Sequence, residues 1–579
     1  MVIANNVVYF VYDCLFSDKN CGFRLGIMDL EIPLGKRTAK YRFFERLPAL
    51  LSYGAIILMV VLSIASPLLA SIYLLTIVMT MLVKAVVIAY HVISGRLRMD
   101  KSSVVNWSKR LADLEHPKAS YKRLQNRRSK EFGYAEHVEN LRIISNSEEG
   151  YFPKPSQLYN ALIIPAYNES LEVIEPTIQS VLDTTYDKKR LIVVFAYEER
   201  GGADIEQTAK TLIKRYGDRF YSFHAVKHPK DLPNEVIGKG GNITHSGRWL
   251  KTYLEEQNIP FSDVIVTTMD CDNKPHARYF DYLTYEYIIH EDRKHLAYQP
   301  ISLFTNNIWD VPAPMRVVAT GNSFWNIISS MRPHTLRNFA SHAQPMDALV
   351  EMDFWSTRTI VEDGHQYWRS YFHFGGNYGV ISMNIPIYQD AVMSNTYRKT
   401  LKAQFTQLRR WAYGASDVPY VASRLFSKQR NVPFWAGFTR LVRLIDGHIT
   451  LASVSILVAF GGWIPLLVNS ESSRSVAALQ LPDTISVLQR IAMIGLIITV
   501  FVSFKLLPPR PERYKKRRNV LMVIQWVLMP ITAIAYNSAA AFNSQTRLFL
   551  GRYLDKFDVT EKIAPSSLAS QTQAKKRSK

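Results

Sequence analysis

Cysteine is nearly absent. The only three, Cys14, Cys21 and Cys271, show neither a paired ladder nor metal-ligand spacing, so neither a disulfide framework nor a zinc site is expected and a reducing compartment fits. The short charged-then-apolar pattern of a cleavable secretion signal is also missing: Asn5, Asn6, Asp13, Asp18 and Glu31 come before the first basic cluster, and nothing marks the chain for export. Repeated halves are absent, which argues against a transporter. Acidic side chains are in deficit, 49 against 70 basic ones, for a net charge of +21.

Such an excess suits nucleic acid, anionic lipid or phosphorylated substrates, and its position decides between them. It sits beside long apolar runs: Lys36, Arg37, Lys40, Arg42 and Arg46 before the first, Arg96 and Arg98 after the second, and Arg510, Arg513 and Lys515 to Arg518 between later ones. This is the charge of membrane flanks, and no nucleic-acid partner is expected. The mean hydropathy of −0.06 therefore averages a polar centre with apolar ends.

After an N-terminal cytosolic segment (1–46), residues 47–66 and 68–94 are each long enough to cross a hydrocarbon layer of roughly 30 Å at about 1.5 Å per residue. With Pro67 at the turn they form a hairpin (47–95) whose basic flanks put both ends in the cytosol, the plasma membrane being the expected location. Lys84, inside the second run, is expected to snorkel or face other protein. Residues 96–155 are charged and read as a surface-lying basic amphipathic linker. Between 156 and 425, runs of strand length (ALII, LIVVFA, VIV) alternate with helical stretches such as SLEVIEPTIQSVL, predicting an α/β domain with a parallel sheet. An interfacial helix (430–447) precedes a C-terminal membrane region (448–545), with spans near 448–468 and 486–507, and a basic tail (546–579). The last apolar stretch, 520–543, has basic flanks on both sides, so it is expected to be bent or re-entrant unless the positive-inside rule fails there.

Ligands of open α/β sheets bind at the carboxyl ends of strands, where PAYNES, AYEERGG, Asp270-Cys271-Asp272 and VEDGHQYWR fall. If the segment stays extended, Asp270 and Asp272 point the same way and can hold Mg²⁺ or Mn²⁺ against a diphosphate. Gln407, Arg410 and Trp411 share one helix face. His365, Trp368 and His373 can line an acceptor site, with packing the favoured alternative.

In this order the clusters resemble the family 2 glycosyltransferases of the cellulose, chitin and hyaluronan synthase type: P-x-Y-N-E at Pro165, Tyr167, Asn168 and Glu169; D-x-D at Asp270 and Asp272 with His276 following; E-D at Glu362 and Asp363, with Val361 in place of Thr; and Q-x-x-R-W at Gln407, Arg410 and Trp411. The resemblance implies a GT-A-like, Rossmann-related nucleotide-sugar domain inserted between transmembrane helices. It implies that Asp272 ligates Mg²⁺ or Mn²⁺, that Asp270 contacts the metal shell or the donor ribose, and that Asp363, beside Glu362, is the catalytic base of an inverting transfer. Tyr167, Glu169, Glu198, Lys239 and Arg410 would meet the nucleotide-sugar donor, a UDP-sugar first, with Asn242 a weaker candidate; Trp411 and Gln407 would meet the acceptor. Glu198 and Glu199 stand where the family commonly has an Asp pair that reads the base. TGNSFWN (320–326) resembles an acceptor-side segment, and the tail carries a run similar to F-x-V-T-x-K. The implied product is a β-linked polysaccharide; the alternative is one sugar added to a lipid-linked acceptor, which the small number of spans favours.

Overall fold

Residues 30–556 are described by a computed structural model. Cys14, Cys21, the basic cluster from Lys575 and all of the F-x-V-T-x-K run lie outside them.

The centre of the chain is an eight-stranded mixed sheet: β1 Tyr159–Ala166, β2 Leu191–Glu198, β3 Ser222–His228, β4 Val264–Thr268, β5 Lys274–Pro275, β6 Leu296–Leu303, β7 Ala343–Pro345 and β8 Gly379–Tyr388. The order is β3-β2-β1-β4-β7-β6-β8-β5. The expected parallel arrangement holds for β3-β2-β1-β4. Beyond it, β7 runs antiparallel to both β4 and β6, and β5 antiparallel to β8. Strands β1 and β2 are buried on both faces, as a continuous apolar run requires. Leu162, Ile164, Val193 and Phe195 pack on one side and Ala161, Ile163, Ile192 and Val194 on the other.

The Lys239–Glu256 helix covers the second face, and small residues let it come close. A Cβ on Gly240 would lie 2.4 Å from the Ser356 carbonyl oxygen, and one on Gly247 2.5 Å from the Phe354 ring. This approach carries Lys239 to the segment that leads into Glu362.

The linker does not lie on the surface. Its helices Trp107–Glu115, Pro117–Leu124 and Tyr134–Asn146 place Trp107, Leu111, Leu114 and Leu141 in the main core, with Trp107 stacked on Tyr282 at 3.9 Å between centroids. Trp107, Leu111 and Leu114 recur at i, i+4 and i+7, an apolar stripe that the surrounding charge conceals.

Among the described residues four helical runs are long and apolar enough to cross a membrane: Ala39–Ala65, Pro67–Ser103, Phe434–Val468 and Arg517–Leu550. The predicted interfacial helix and the span after it are thus one run, continued through a π turn at Thr450–Val454. Packing adds the Val476–Leu506 helix. Met59, Leu74, Val78, Leu457, Leu481 and Ile485 form one cluster, so the first three runs and Val476–Leu506 make a bundle. At its far end Asn469 donates to the Ser63 carbonyl at 3.0 Å.

Arg517–Leu550 also rests on the α/β domain. Arg518 donates to the Trp309 carbonyl at 2.9 Å, Arg316 Nε to Gln525 Oε1 at 2.5 Å, Tyr536 packs with Val318 and Leu408, and Ser544 donates to the Arg409 carbonyl at 2.6 Å. Its opposite face exposes Val520, Val523, Ile524, Val527 and Ile531. It is the least apolar of the four. Its last turns also pack on the other membrane helices: Ser538 donates to the Leu451 carbonyl at 3.3 Å, Gln545 to the His448 carbonyl at 3.0 Å, and Phe542 meets the Tyr53 ring at 4.7 Å between centroids.

The segment after this run is tied to the start of the first helix. Buried Glu45 pairs with Arg37 and Arg42 and accepts from the Tyr553 hydroxyl at 3.1 Å. Lys556 then forms a β-bridge with Ile237, just before the Lys239–Glu256 helix.

Gly240→Ala is expected to destabilise the protein by about 1–3 kcal/mol, because a backbone oxygen cannot rotate out of the way. Denaturant unfolding in detergent measures this, and an unchanged midpoint would contradict the close approach.

Candidate active site

Four groups from three segments distant in sequence meet at the carboxyl edge of β1, β2 and β4. Lys239 Nζ lies 3.0 Å from Asp270 Oδ1, 3.0 Å from Asp363 Oδ2 and 3.6 Å from Glu362 Oε1. Glu362 and Asp363 open the Glu362–His373 helix, where the macrodipole favours acids. Lys239 opens its own helix, where a cation is disfavoured, so the carboxylates are what hold it there. Burial alone would lower the Lys239 pKa; Asp270, Asp363 and Glu362 outweigh it and keep the ammonium charged. Burial and the neighbouring charge of Asp363 push the Glu362 carboxyl up to about 7, partly offset by Lys239 and Arg410. Arg410, from the Tyr397–Ala412 helix, thus reaches the same site electrostatically.

His342 backs Asp363. Its Nε2 accepts from Trp355 Nε1 at 3.3 Å, which leaves the proton on Nδ1; that nitrogen is 2.9 Å from the Phe339 carbonyl oxygen and 3.7 Å from Asp363 Oδ1. Burial lowers its pKa, so the ring is neutral. Neither His342 nor Trp355 lies in a segment whose pattern would have singled it out.

The D-x-D segment is not extended. Asn273 N–H donates to the Asp270 carbonyl at 2.9 Å, so Asp270 and Asp272 occupy the first and third corners of a turn, and the period-two argument for their common direction does not apply. Among the described residues no three His, Cys, Asp or Glu side chains converge into a metal cage. Two carboxylates on a turn still suit Mg²⁺ or Mn²⁺, which takes one or two protein carboxylates and completes its shell with water and phosphate.

Other sequence-derived candidates have partners of their own. Glu169 Oε2 accepts the Tyr167 backbone N–H at 2.8 Å, shaping the PAYNES turn. Glu198 Oε2 takes both Arg200 at 2.6 Å and His228 Nδ1 at 3.1 Å, and His228 Nε2 reaches Glu235 at 3.0 Å. Although burial opposes it, these two carboxylates raise His228 to about 9, so an imidazolium stands behind Glu198. Glu199 accepts the Lys230 N–H at 3.0 Å, and Asn242 donates to the Ala196 carbonyl at 2.9 Å. Trp411 is 39% exposed beside Phe304, and Gln407 accepts from Gln404 at 3.2 Å. His365 is buried against Asp417 at 2.7 Å, His373 pairs with Glu351 at 2.9 Å and Trp368 is in the core, so these three pack. TGNSFWN is interior to the Ala313–Ser330 helix, which supports the last helical run.

The Glu362 carboxyl, raised from 4.5 to about 7, contributes stability that is full below the lower value and lost as pH rises through the upper one. Wild-type protein is expected to lose on the order of 2–3 kcal/mol from this group between acid and neutral pH. Glu362→Gln should lack that loss; identical pH dependence of thermal unfolding in both proteins would contradict the assignment.

No family model matches the sequence, and no curated protein matches it. Among solved structures the chain is similar to the mannosyltransferase PcManGT from Pyrobaculum calidifontis in complex with GDP-Man and Mn²⁺, at 13% identity over 78% of this chain and 99% of that one, TM-score 0.34. It is also similar to S. aureus TarS in complex with UDP-GlcNAc, at 11% identity over 69% and 93%, TM-score 0.32. A third is glucosyl-3-phosphoglycerate synthase from Mycobacterium tuberculosis with Mg²⁺ and UDP, at 15% over 48% and 81%, TM-score 0.26. At such TM-scores the likeness decides neither family nor activity, which are left to the chemistry of the site.

Proposed function

We propose that this chain is a membrane-embedded inverting glycosyltransferase of the family 2 type, transferring a sugar from a nucleotide-sugar, a UDP-sugar first, to a growing β-linked saccharide. The observation that carries the reading is the meeting of Lys239, Asp270, Glu362 and Asp363 within 3.0 to 3.6 Å of one nitrogen. Those residues come from three of the segments that resemble the family, and Arg410 of a fourth acts on Glu362.

In this reading Asp363 takes the proton of the acceptor hydroxyl as that oxygen attacks the donor's anomeric carbon. A single displacement needs no protein nucleophile, so configuration inverts. In the donor-free protein the base is neutralised by Lys239. A diphosphate is a stronger anionic partner for that ammonium, and its arrival draws Lys239 away and leaves Asp363 free to accept a proton. Arg410 supports the diphosphate, and the half-exposed Trp411 offers an aromatic face to a sugar ring. Asp272 and Asp270 would hold Mg²⁺ or Mn²⁺, whose chemistry is neutralisation of charge on the departing nucleotide. Glu198, braced by Arg200 and His228, is the group nearest in kind to the family's base reader. His342 keeps the Asp363 carboxylate oriented.

The bundle of two helical hairpins returns both pairs of ends to the domain; in this reading that side, which carries the basic flanks, faces the cytosol, and the membrane is the plasma membrane. A second reading, single addition to a lipid-linked acceptor, is favoured by the few helices available to line a channel.

Detergent-purified protein given a panel of UDP-, GDP- and dTDP-sugars with Mg²⁺ or Mn²⁺ is expected to release nucleoside diphosphate from one donor, with Asp363→Asn reducing turnover about 10²–10⁴-fold. No release from any donor by folded protein supplied with membrane lipid extract would overturn the proposal.

A further inference from the structure

A group of basic side chains lies where the Pro67–Ser103 and Phe434–Ile449 helices meet the α/β domain. Gly95 of the Pro67–Ser103 helix approaches the Ala313–Ser330 helix so closely that a Cβ would lie 2.7 Å from Ile327 and 3.0 Å from Met331. Arg332 follows directly, and His91 is one turn before Gly95. On the far side the Phe434–Ile449 helix contributes Arg440 and Arg443. Arg440 Nε donates to the Tyr367 hydroxyl at 3.2 Å, and Lys84 and Asp446 join the two membrane helices at 3.9 Å. These helices run antiparallel, so His91, about 10.5 Å along from Lys84, stands near the level of Arg440, about 9 Å from Asp446 in the same direction.

Leu336 packs with Leu441 and Leu444, which sets the His334 segment against the Phe434–Ile449 helix, and Arg337 lies over the Trp368 ring at 4.9 Å. Burial lowers the His334 pKa, and the positive charges of Arg443, Arg332, Arg440 and His91 lower it further, so three arginines and a second histidine act on one ring. Among the described residues no carboxylate oxygen lies within 4.0 Å of Arg332, Arg337 or Arg443. Like charges gathered this way are unfavourable without an anion. The same two helices expose apolar residues, Ile88, Ile93, Val442 and Trp435, the last of a residue type that gathers at membrane interfaces.

We propose that Arg332, Arg443 and Arg440, with His91 and His334, bind the phosphate of an anionic phospholipid whose acyl chains lie along the exposed faces of the Pro67–Ser103 and Phe434–Ile449 helices. Cationic pockets between helices at the cytosolic boundary recognise headgroups by this chemistry. The proposal goes beyond sugar transfer and does not depend on the chemistry at Asp363. Inorganic phosphate offers the same charge without the chains, so the two sources separate experimentally.

Full-length protein in neutral detergent is titrated with dioleoyl-phosphatidylglycerol, with dioleoyl-phosphatidylcholine and with inorganic phosphate, and bound species are counted by native mass spectrometry. The expected result is saturable binding of phosphatidylglycerol alone, weakened about thirtyfold in Arg332→Gln/Arg443→Gln and retained in Arg332→Lys/Arg443→Lys, both variants melting as wild type does. Equal phosphatidylglycerol binding by wild type and the glutamine variant would overturn the site. Preferential binding of inorganic phosphate would overturn the lipid. Should the glutamine variant not fold, Arg443→Gln alone carries the same comparison with a smaller expected loss.

Discussion

One buried ammonium organises the centre of this molecule. Lys239 brings together the start of a helix, the turn after β4 and the start of a second helix, through contacts of 3.0 to 3.6 Å to three carboxylates. Three acids confined there would repel one another, and a lysine at a helix N-terminus would be repelled by the macrodipole; each arrangement is tolerable because of the other. The close approach at Gly240 makes the meeting geometrically possible. The same contact restrains the Asp363 carboxylate.

The surrounding helices are divided by the partners they find. Two hairpins bury apolar faces against each other, while Arg517–Leu550 bonds to the α/β domain through Arg518 and Ser544 and to the Phe434–Val468 run through Ser538 and Gln545, joining the two parts.

Much of this was legible in the amino-acid order, and the exceptions have physical causes. Strands β1, β2 and β4 were readable because burial on both faces demands continuous apolar runs, whereas β7 is the three residues Ala343–Pro345 and carries no periodic signal. The linker's stripe of Trp107, Leu111 and Leu114 was diluted by charge. Composition does not show which neighbours an apolar helix finds, so the contacts of Arg517–Leu550 with both the domain and the membrane helices were not legible. Asp270, Glu362, Asp363 and Lys239 were candidates from their segments, and the fold brings them together; the turn at Asp270–Asn273 was not foreseen, because extended and turned backbones share one sequence there. His342 and Trp355 become meaningful only through tertiary packing against Asp363.

The central claim, that Lys239 is stabilised by the acids it separates, is tested most directly by a double-mutant cycle on unfolding free energy with Lys239→Met and Asp363→Asn. The account predicts that Lys239→Met alone costs about 3–5 kcal/mol, since it leaves buried carboxylates uncompensated, and that adding Asp363→Asn recovers part of this, with a coupling energy of about 1–3 kcal/mol. Costs that simply add would mean the two side chains do not depend on each other, and would contradict it.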